Sequence, residues 1–548
     1  MKNIEIPFEK DRKGHYRFFE ILPGALSWSL LIAPIIFTLI DTTYAVVFIL
    51  AYLLIYFVRS IGYDIRAVGG YFTMRKHLRL DWDGLIQDIE AGEVVTENRL
   101  ERPKWHLESI ERVKSYPVIY KPSEVIHAII IATVNETRDI LEPTIKSILD
   151  STYDSKKMLL IIAYEGRAGK ETEVRVKGLI KDYKKFFKDA FCVKHPPNIP
   201  GEVIGKGGNI TYAGRELEKY LKKHNIEPET VLVTTLDSDN RPHKLYFSSL
   251  TYLFCVVPEP IKSSYQPLPM FTNNIWDAPT LMRVIATGNN LFYIVLTKRP
   301  HLERNFSAHA QSMRALIDMD FWSVRTIVED GHHFWRSYFH YDGDYRVYPI
   351  SIPIYQDAVL ADGYIRTMKA QFIQLRRWTY GVSDVAYIAD KGLFSKNKKL
   401  SKVDIMAKLL RTLEGHVTWA TGTILVFGAA FVPSLLHPNS FAANQLPLIV
   451  SRIQQIGLIG LLASVYVSLV TLPPRPLRYK RHRSVLMAFQ WILAPIASLL
   501  YGTITAFNSQ TRLMFKWYLS KFDVTEKAVY NSKGKLISSD ADPSRKLS

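Results

Sequence analysis

Hydrophobic positions along this chain fall into two regimes: long uncharged stretches near both ends and short buried runs between them. Ile21 to Ile40 contains no ionisable residue, enough to cross about 30 Å of hydrocarbon as a helix. Asp41-Thr42-Thr43 turns the chain, and Tyr44 to Val58 predicts a second crossing, lengthened by Thr42 and Thr43 and ending at Arg59. A cleaved leader is the rival for the first stretch, but the stretch is too long and a second follows directly. Gly415 to Ser451 has no Asp, Glu, Lys or Arg; His416 to Leu436 reads as a third crossing and Ile453 to Leu472 as a fourth. Ser484 to Thr511 is again uncharged but contains Pro495. Proline removes a helical hydrogen bond and bends the axis, so this last segment is either one bent crossing or a re-entrant pair.

From Glu124 the pattern changes. Ile126 to Thr133, Met158 to Ala163 and Val231 to Leu236 are short apolar runs of the buried-strand kind. Helical stretches alternate with them at Asp139 to Asp150, Glu171 to Phe187 and Gly207 to Lys222. Strands alternating with helices imply an α/β fold with a parallel, doubly covered sheet, whose ligands bind beyond the carboxyl ends of the strands. Glu136, Glu165 and Asp237 all fall at that edge.

The chain has 548 residues, with 70 Lys and Arg against 52 Asp and Glu for a formal charge of +18. The aromatic share of 12% excludes a disordered chain, and two cysteines exclude a disulfide framework. The positive charge sits in clusters beside the apolar stretches, unlike the interleaved basic face of a nucleic-acid binder, and no nucleic-acid partner is expected. Lys2, Lys10, Arg12, Lys13 and Arg17 precede the first crossing, and Arg59, Arg66, Arg75 and Lys76 follow the second. Seven Lys and Arg residues from Lys391 to Arg411 precede the third, and Arg475, Arg478, Lys480, Arg481 and Arg483 follow the fourth. Positive flanks are cytoplasmic. The central region is therefore expected in the cytoplasm, in a multi-pass protein of the plasma membrane whose loop 437–447 lies outside.

Three groups of residues carry candidate chemistry. Asp237-Ser238-Asp239 follows a buried strand; two carboxylates so placed can hold Mg2+ or Mn2+ against a diphosphate, or the segment is only a turn whose side chains cap the backbone. Glu329-Asp330 can supply a general base for a hydroxyl nucleophile, or merely cap the following helix. The adjacent His332 and His333 point about 100° apart on a helix and make a poor chelate. Gln374, Arg377 and Trp378 share one face of a helix from Gly363 to Tyr380. That face suits a phosphate and a sugar ring, or equally an interfacial helix at headgroup level.

The order of Val134-Asn135-Glu136, an acidic residue after the second strand, Lys206-Gly207-Gly208-Asn209, Asp237-Ser238-Asp239, Glu329-Asp330 and Gln374-x-x-Arg377-Trp378 resembles the membrane-bound family-2 glycosyltransferases, which include cellulose, chitin and hyaluronan synthases. The resemblance covers Ile126 to Tyr380 and the flanking crossings. It implies a GT-A fold, a Rossmann-like mixed sheet embedded between transmembrane helices, with a nucleotide-sugar donor (uridine the expected base), a divalent metal and inversion at the anomeric carbon. By the same resemblance Glu136 and Glu165 contact the nucleoside and Lys206 the nucleotide. Asp237 and Asp239 hold nucleotide and metal, Asp330 is the base, and Gln374, Arg377 and Trp378 line the diphosphate and acceptor sites. Phe522 to Lys527 looks like the family's Phe-x-Val-Thr-x-Lys gate, which places the C-terminus in the cytoplasm and favours a re-entrant segment around Pro495. Two positions depart from the family: Glu165 stands where aspartate is usual, and His309 lies within the acceptor loop.

The implied layout is a cytoplasmic N-terminus (1–20), a transmembrane hairpin (21–58), a cytoplasmic helical linker (59–123), the GT-A domain (124–385), a basic segment (386–412), a C-terminal membrane region (413–511) and a cytoplasmic tail (512–548). The implied function is extension of a β-linked polysaccharide from a carbohydrate or lipid-linked acceptor among membrane lipids, with translocation of the product left open. Transfer of one sugar to a lipid is the alternative; a non-catalytic membrane scaffold is another.

Overall fold

The computed structural model describes residues 4–95, 102–522, 524–530 and 536–539. Lys2, Asp523 and most of the tail beyond Tyr530 lie outside the described residues.

The first long apolar helix spans Gly14–Ile40. The Asp41 carboxylate accepts from the Thr43 N–H at 2.7 Å and caps the second helix, Thr42–His77. That helix does not end at Arg59. No proline interrupts the chain there, so it continues well beyond the apolar stretch.

Eight strands follow within one sheet: β1 (Ile126–Thr133), β2 (Met158–Glu165), β3 (Asp189–His195), β4 (Val231–Asp237), β5 (Arg241–Pro242), β6 (Ser263–Phe271), β7 (His309–Ser312) and β8 (Arg346–Gln356), in the order β3-β2-β1-β4-β7-β6-β8-β5. The half from β3 to β4 is parallel, with Ile130 of β1 opposite Ile161 of β2 and Thr235 of β4. Ile129, Ile130, Ile131, Ile161 and Ile162 are completely buried; helices cover both faces, which is why these runs are continuously apolar instead of alternating.

The other half departs from the parallel pattern read from the strand–helix alternation and makes the sheet mixed, as the resemblance implies. β7 pairs antiparallel with β4 and β6, β6 pairs parallel with β8, and β5 pairs antiparallel with β8. Pro267 and Pro269 in β6 and Pro349 and Pro353 in β8 disguise these strands, and the register shifts at Pro267/Leu268, where an irregularity accommodates a residue without an N–H. The result is a mixed α/β sheet covered by amphipathic helices and flanked in the chain by long apolar ones, the fold class that the resemblance implies.

After the Tyr364–Thr379 helix, which matches the expected Gly363 to Tyr380, the C-terminal helices differ from expectation. The third spans Lys402–Phe427 and breaks before a short helix, Phe431–Leu436. The fourth spans Phe441–Val470 and so begins inside the segment expected to be an outer loop. Among the described residues four helices are long and apolar enough to cross a membrane: Gly14–Ile40, Thr42–His77, Phe441–Val470 and His482–Met514. Lys402–Phe427 is not among them, because its first half carries Lys402, Asp404, Lys408, Arg411 and Glu414.

His482–Met514 is continuously helical but changes pitch around Pro495, through a 3-10 turn at Gln490–Leu493 and a π turn at Ser498–Thr503. Near its start Arg483 donates to the Trp276 carbonyl at 2.7 Å. Near its end Ser509 donates to the Arg376 carbonyl at 2.9 Å, and Arg17 donates to the Leu513 carbonyl at 2.7 Å. Between these, Ser498 meets Thr423 of the third helix at 2.8 Å. The helix is thus held near its start by the Trp276 carbonyl, at its middle by Thr423 and near its end by the Arg376 carbonyl, and its bend falls at Pro495 as expected.

Candidate active site

The parallel half of the sheet delivers its carboxylates to one edge. Asp237 is the last residue of β4, opposite Ala132 of β1. Its N–H donates to the Asn240 side-chain oxygen at 2.9 Å and its carbonyl accepts the Asn240 N–H at 3.1 Å. The segment is therefore a side-chain-capped turn and also a pair of projecting carboxylates; the two readings coexist.

Lys206 opens the Lys206–Lys223 helix, and its ammonium donates to Asp237 Oδ1 at 2.7 Å and to the Ser307 carbonyl at 2.9 Å. Gly207 makes this start possible: a Cβ there would lie 2.5 Å from the Ser323 carbonyl oxygen and 3.1 Å from Glu329 Cβ. Asn209 ties the same turn to the end of β2 through the Ala163 carbonyl at 3.0 Å. Burial acts to raise the Asp237 carboxyl, but Lys206 and Lys527 overcome it and bring it down to about 2.

Asp239 is buried, and both of its oxygens are engaged. Oδ2 accepts the Asp357 N–H at 2.9 Å; Oδ1 accepts from the Lys527 ammonium at 2.8 Å, and that ammonium also donates to Ser238 Oγ at 2.8 Å. Burial opposes the charge on Lys527, yet Asp239, Glu136 and Asp237 hold its ammonium well above the ordinary lysine value. A cation thus already stands on Asp239. The Asp357 carboxyl, pushed up to about 6 by burial and then by Asp239, completes a cluster of hard oxygens around it. This chemistry fits Mg2+ or Mn2+, which take few protein ligands when a diphosphate supplies the rest. Asp237 and Asp239 would hold the ion, and Lys527 is the group it must displace. Among the described residues no three His, Cys, Asp or Glu side chains form a self-sufficient metal site.

Glu329 and Asp330 begin the Glu329–His340 helix, whose N-cap is Val328 without a side-chain hydrogen bond; neither carboxylate is the cap. Burial and then Asp330 push the Glu329 carboxyl up to about 8. Burial also raises Asp330, opposed by Lys206, by the Gly331 N–H at 2.7 Å and by Arg377. Asp330 therefore faces the Lys206–Asp237 pair and the Gln-x-x-Arg-Trp helix.

On that helix Arg377 lies over the Phe522 ring at 3.7 Å, Trp378 packs on Phe271 at 5.9 Å between ring centroids, and Gln374 accepts from Gln371 at 3.1 Å. Phe522 belongs to the tail, which crosses the site from an N–H donated to the Ile204 carbonyl at 2.8 Å to an Ala528 N–H donated to the Leu360 carbonyl at 2.9 Å.

Glu136 is buried, accepting from Thr133 Oγ1 and the Val134 N–H at 2.7 Å each, and faces Lys527. Glu165 stands one strand away and turns toward His195 at 3.4 Å, which in turn meets Glu202 at 3.0 Å. His309 is buried in β7; Trp322 Nε1–H donates to its Nε2 at 3.1 Å, leaving Nδ1–H to donate to the Phe306 carbonyl at 2.7 Å. Burial holds this ring at about 4, so it is neutral and structural. His332 and His333 are likewise fully buried. Asp357 escaped the sequence reading, although its place directly after β8 is the signal that identified Asp237.

No protein-family model matches the chain, and no curated protein matches it. Among solved structures it is similar to the mannosyltransferase PcManGT from Pyrobaculum calidifontis in complex with GDP-Man and Mn2+, at 12% identity over 80% of this chain and 99% of that one, with a TM-score of 0.36. It is also similar to S. aureus TarS 1-349 in complex with UDP-GlcNAc, at 10% identity over 75% and 96%, with a TM-score of 0.35. A third likeness is to GalNAc-T7 with UDP, GalNAc and Mn2+, at 11% identity over 54% and 58%, with a TM-score of 0.30.

Proposed function

We propose that this chain is a membrane-bound glycosyltransferase that moves a sugar from a nucleoside diphosphate to a hydroxyl acceptor on the cytoplasmic side of the membrane, with inversion. The supporting observation is the convergence at one sheet edge of Asp237 and Asp239 from the end of β4 with Lys206, Asp330 and Arg377 from three separate helices. Lys206 and Arg377 offer positive charge to a diphosphate. Asp237 and Asp239 are the ligands for a divalent ion, which when bound offsets charge on the departing diphosphate. Asp330 accepts the acceptor's proton as its oxygen attacks, and burial, which raises its carboxyl, strengthens it as a base. Glu329 beside it is protonated at neutral pH, so Asp330 takes that role without a second full charge at its side. Glu136 and Glu165 border the nucleoside, and Trp378 offers a stacking surface to a sugar ring.

Extension of a β-linked polysaccharide is the leading form of this reaction. Full-length protein given an α-linked nucleotide sugar and a labelled acceptor should yield a β linkage by NMR, and a product that lengthens as donor increases. An α linkage overturns inversion, and a product of one added sugar at every donor ratio overturns extension.

A further inference from the structure

The cytoplasmic half of the second membrane helix faces a group of arginines that the transfer site does not use. Arg59 and Arg66 are seven residues apart and share one side of the Thr42–His77 helix. Arg59 pairs with Glu414 of the Lys402–Phe427 helix, and Arg411 precedes Glu414 by one turn. Arg299 joins them from the loop after the Thr280–Leu296 helix, which is tied down where Lys298 donates to Thr73 at 3.1 Å. Partial burial and then Arg66, Arg411 and Arg59 hold the Arg299 guanidinium below its ordinary value. Arg66 donates back to the Gly62 carbonyl at 2.6 Å. Among the described residues no carboxylate lies within ion-pair distance of Arg66, Arg299 or Arg411. Glu303, close by in the chain, is buried and pushed up to about 8, so it is uncharged at neutral pH and does not balance them.

Three unpaired guanidinium groups gathered in one place repel one another unless an anion is shared between them. Their depth indicates which anion. At 1.5 Å per residue from Thr42, Arg59 lies about 26 Å and Arg66 about 36 Å along the helix, bracketing the inner edge of a hydrocarbon layer about 30 Å thick. Ile55, Val58, Ile61 and Ile65 around them are 46–68% exposed, so the surface beside the cluster is lipid-facing. The same loop continues to Arg304, which packs over Phe334 at 3.9 Å on the helix that carries Asp330.

We infer that Arg66, Arg299 and Arg411 form a cradle for the phosphate of an inner-leaflet lipid. The inference needs only the membrane placement and not the transferase chemistry, although a phosphate-bearing lipid held here would stand beside the loop that leads to the transfer site.

The test uses full-length protein in nanodiscs of phosphatidylcholine doped with phosphatidylglycerol or with a polyprenyl phosphate, read by native mass spectrometry of retained lipid without nucleotide sugar. The parent should retain the anionic lipid over phosphatidylcholine. Arg66→Gln/Arg299→Gln/Arg411→Gln should lose that preference at least tenfold, and the three Lys replacements should restore part of it. Should the triple variant fail to fold, each single Gln variant should lose several-fold. Retention of phosphatidylglycerol identifies a structural phospholipid, whereas preference for the polyprenyl phosphate identifies an acceptor carrier. Equal retention by parent and folded variants, or no preference for anionic lipid in the parent, overturns the cradle. Because no donor is present, a chain without transferase activity passes or fails this test equally.

Discussion

Replacing Lys527 by Met should make the donor-free protein bind Mn2+ more tightly. Lys527 occupies Asp239 Oδ1 at 2.8 Å, with the two side chains only 16% and 9% exposed, and spends a second bond at 2.8 Å on Ser238. A hydrogen bond to a charged group in such a setting contributes about 1.5–3 kcal/mol. An arriving ion must break this one, so its apparent affinity is reduced by about 10- to 100-fold at about 1.4 kcal/mol per decade. Met preserves the volume and apolar stem while removing the cation. The assay is Mn2+ titration of detergent-purified full-length protein at pH 7.5, followed by electron paramagnetic resonance of free ion. Lys527→Met should shift the midpoint to lower Mn2+ by that factor, while Lys527→Arg should stay near the parent. An unchanged or weaker affinity in Lys527→Met would show that the ammonium and the metal do not compete for Asp239.

The Glu329 carboxyl rises from 4.5 to about 8 on folding, so stability from this residue is fully present below pH 4.5 and is lost as pH rises through about 8. Glu329→Gln should therefore gain thermal stability relative to the parent more at pH 8.5 than at pH 5, and a pH-independent difference contradicts the buried, raised carboxyl. Ile130→Ala, in a strand buried on both faces, should cost about 2–5 kcal/mol by denaturant titration; a cost below about 1 kcal/mol would mean the sheet centre is not packed as described.

The strands that carry the site were legible because burial on both faces leaves an unmistakable apolar run: β1 matches its expected span residue for residue, and Asp237 and Glu165 close the two beside it. The mixed half was not, since β7 is the four-residue His-Ala-Gln-Ser and β6 and β8 carry prolines that argue against central strands. Membrane segments were read from composition alone, which sees the apolar part of Thr42–His77 but not its continuation past Arg59, where nothing breaks the helix. The pairing of Lys527 with Asp239 joins residues distant in sequence through a fold, and no local pattern encodes it. Asp357 was missed for the same reason as β8: its strand was not recognised.

The central claim is tested most directly by offering full-length protein a panel of nucleotide sugars with Mg2+ or Mn2+, following nucleoside diphosphate release and product mass for the parent and Asp330→Asn. Loss of a general base costs about 10²- to 10⁴-fold. Turnover of one donor with incorporation of its sugar is expected, lowered by that factor in Asp330→Asn while donor binding is kept. Turnover undiminished in Asp330→Asn, or no donor consumed by folded protein in lipid, would contradict it.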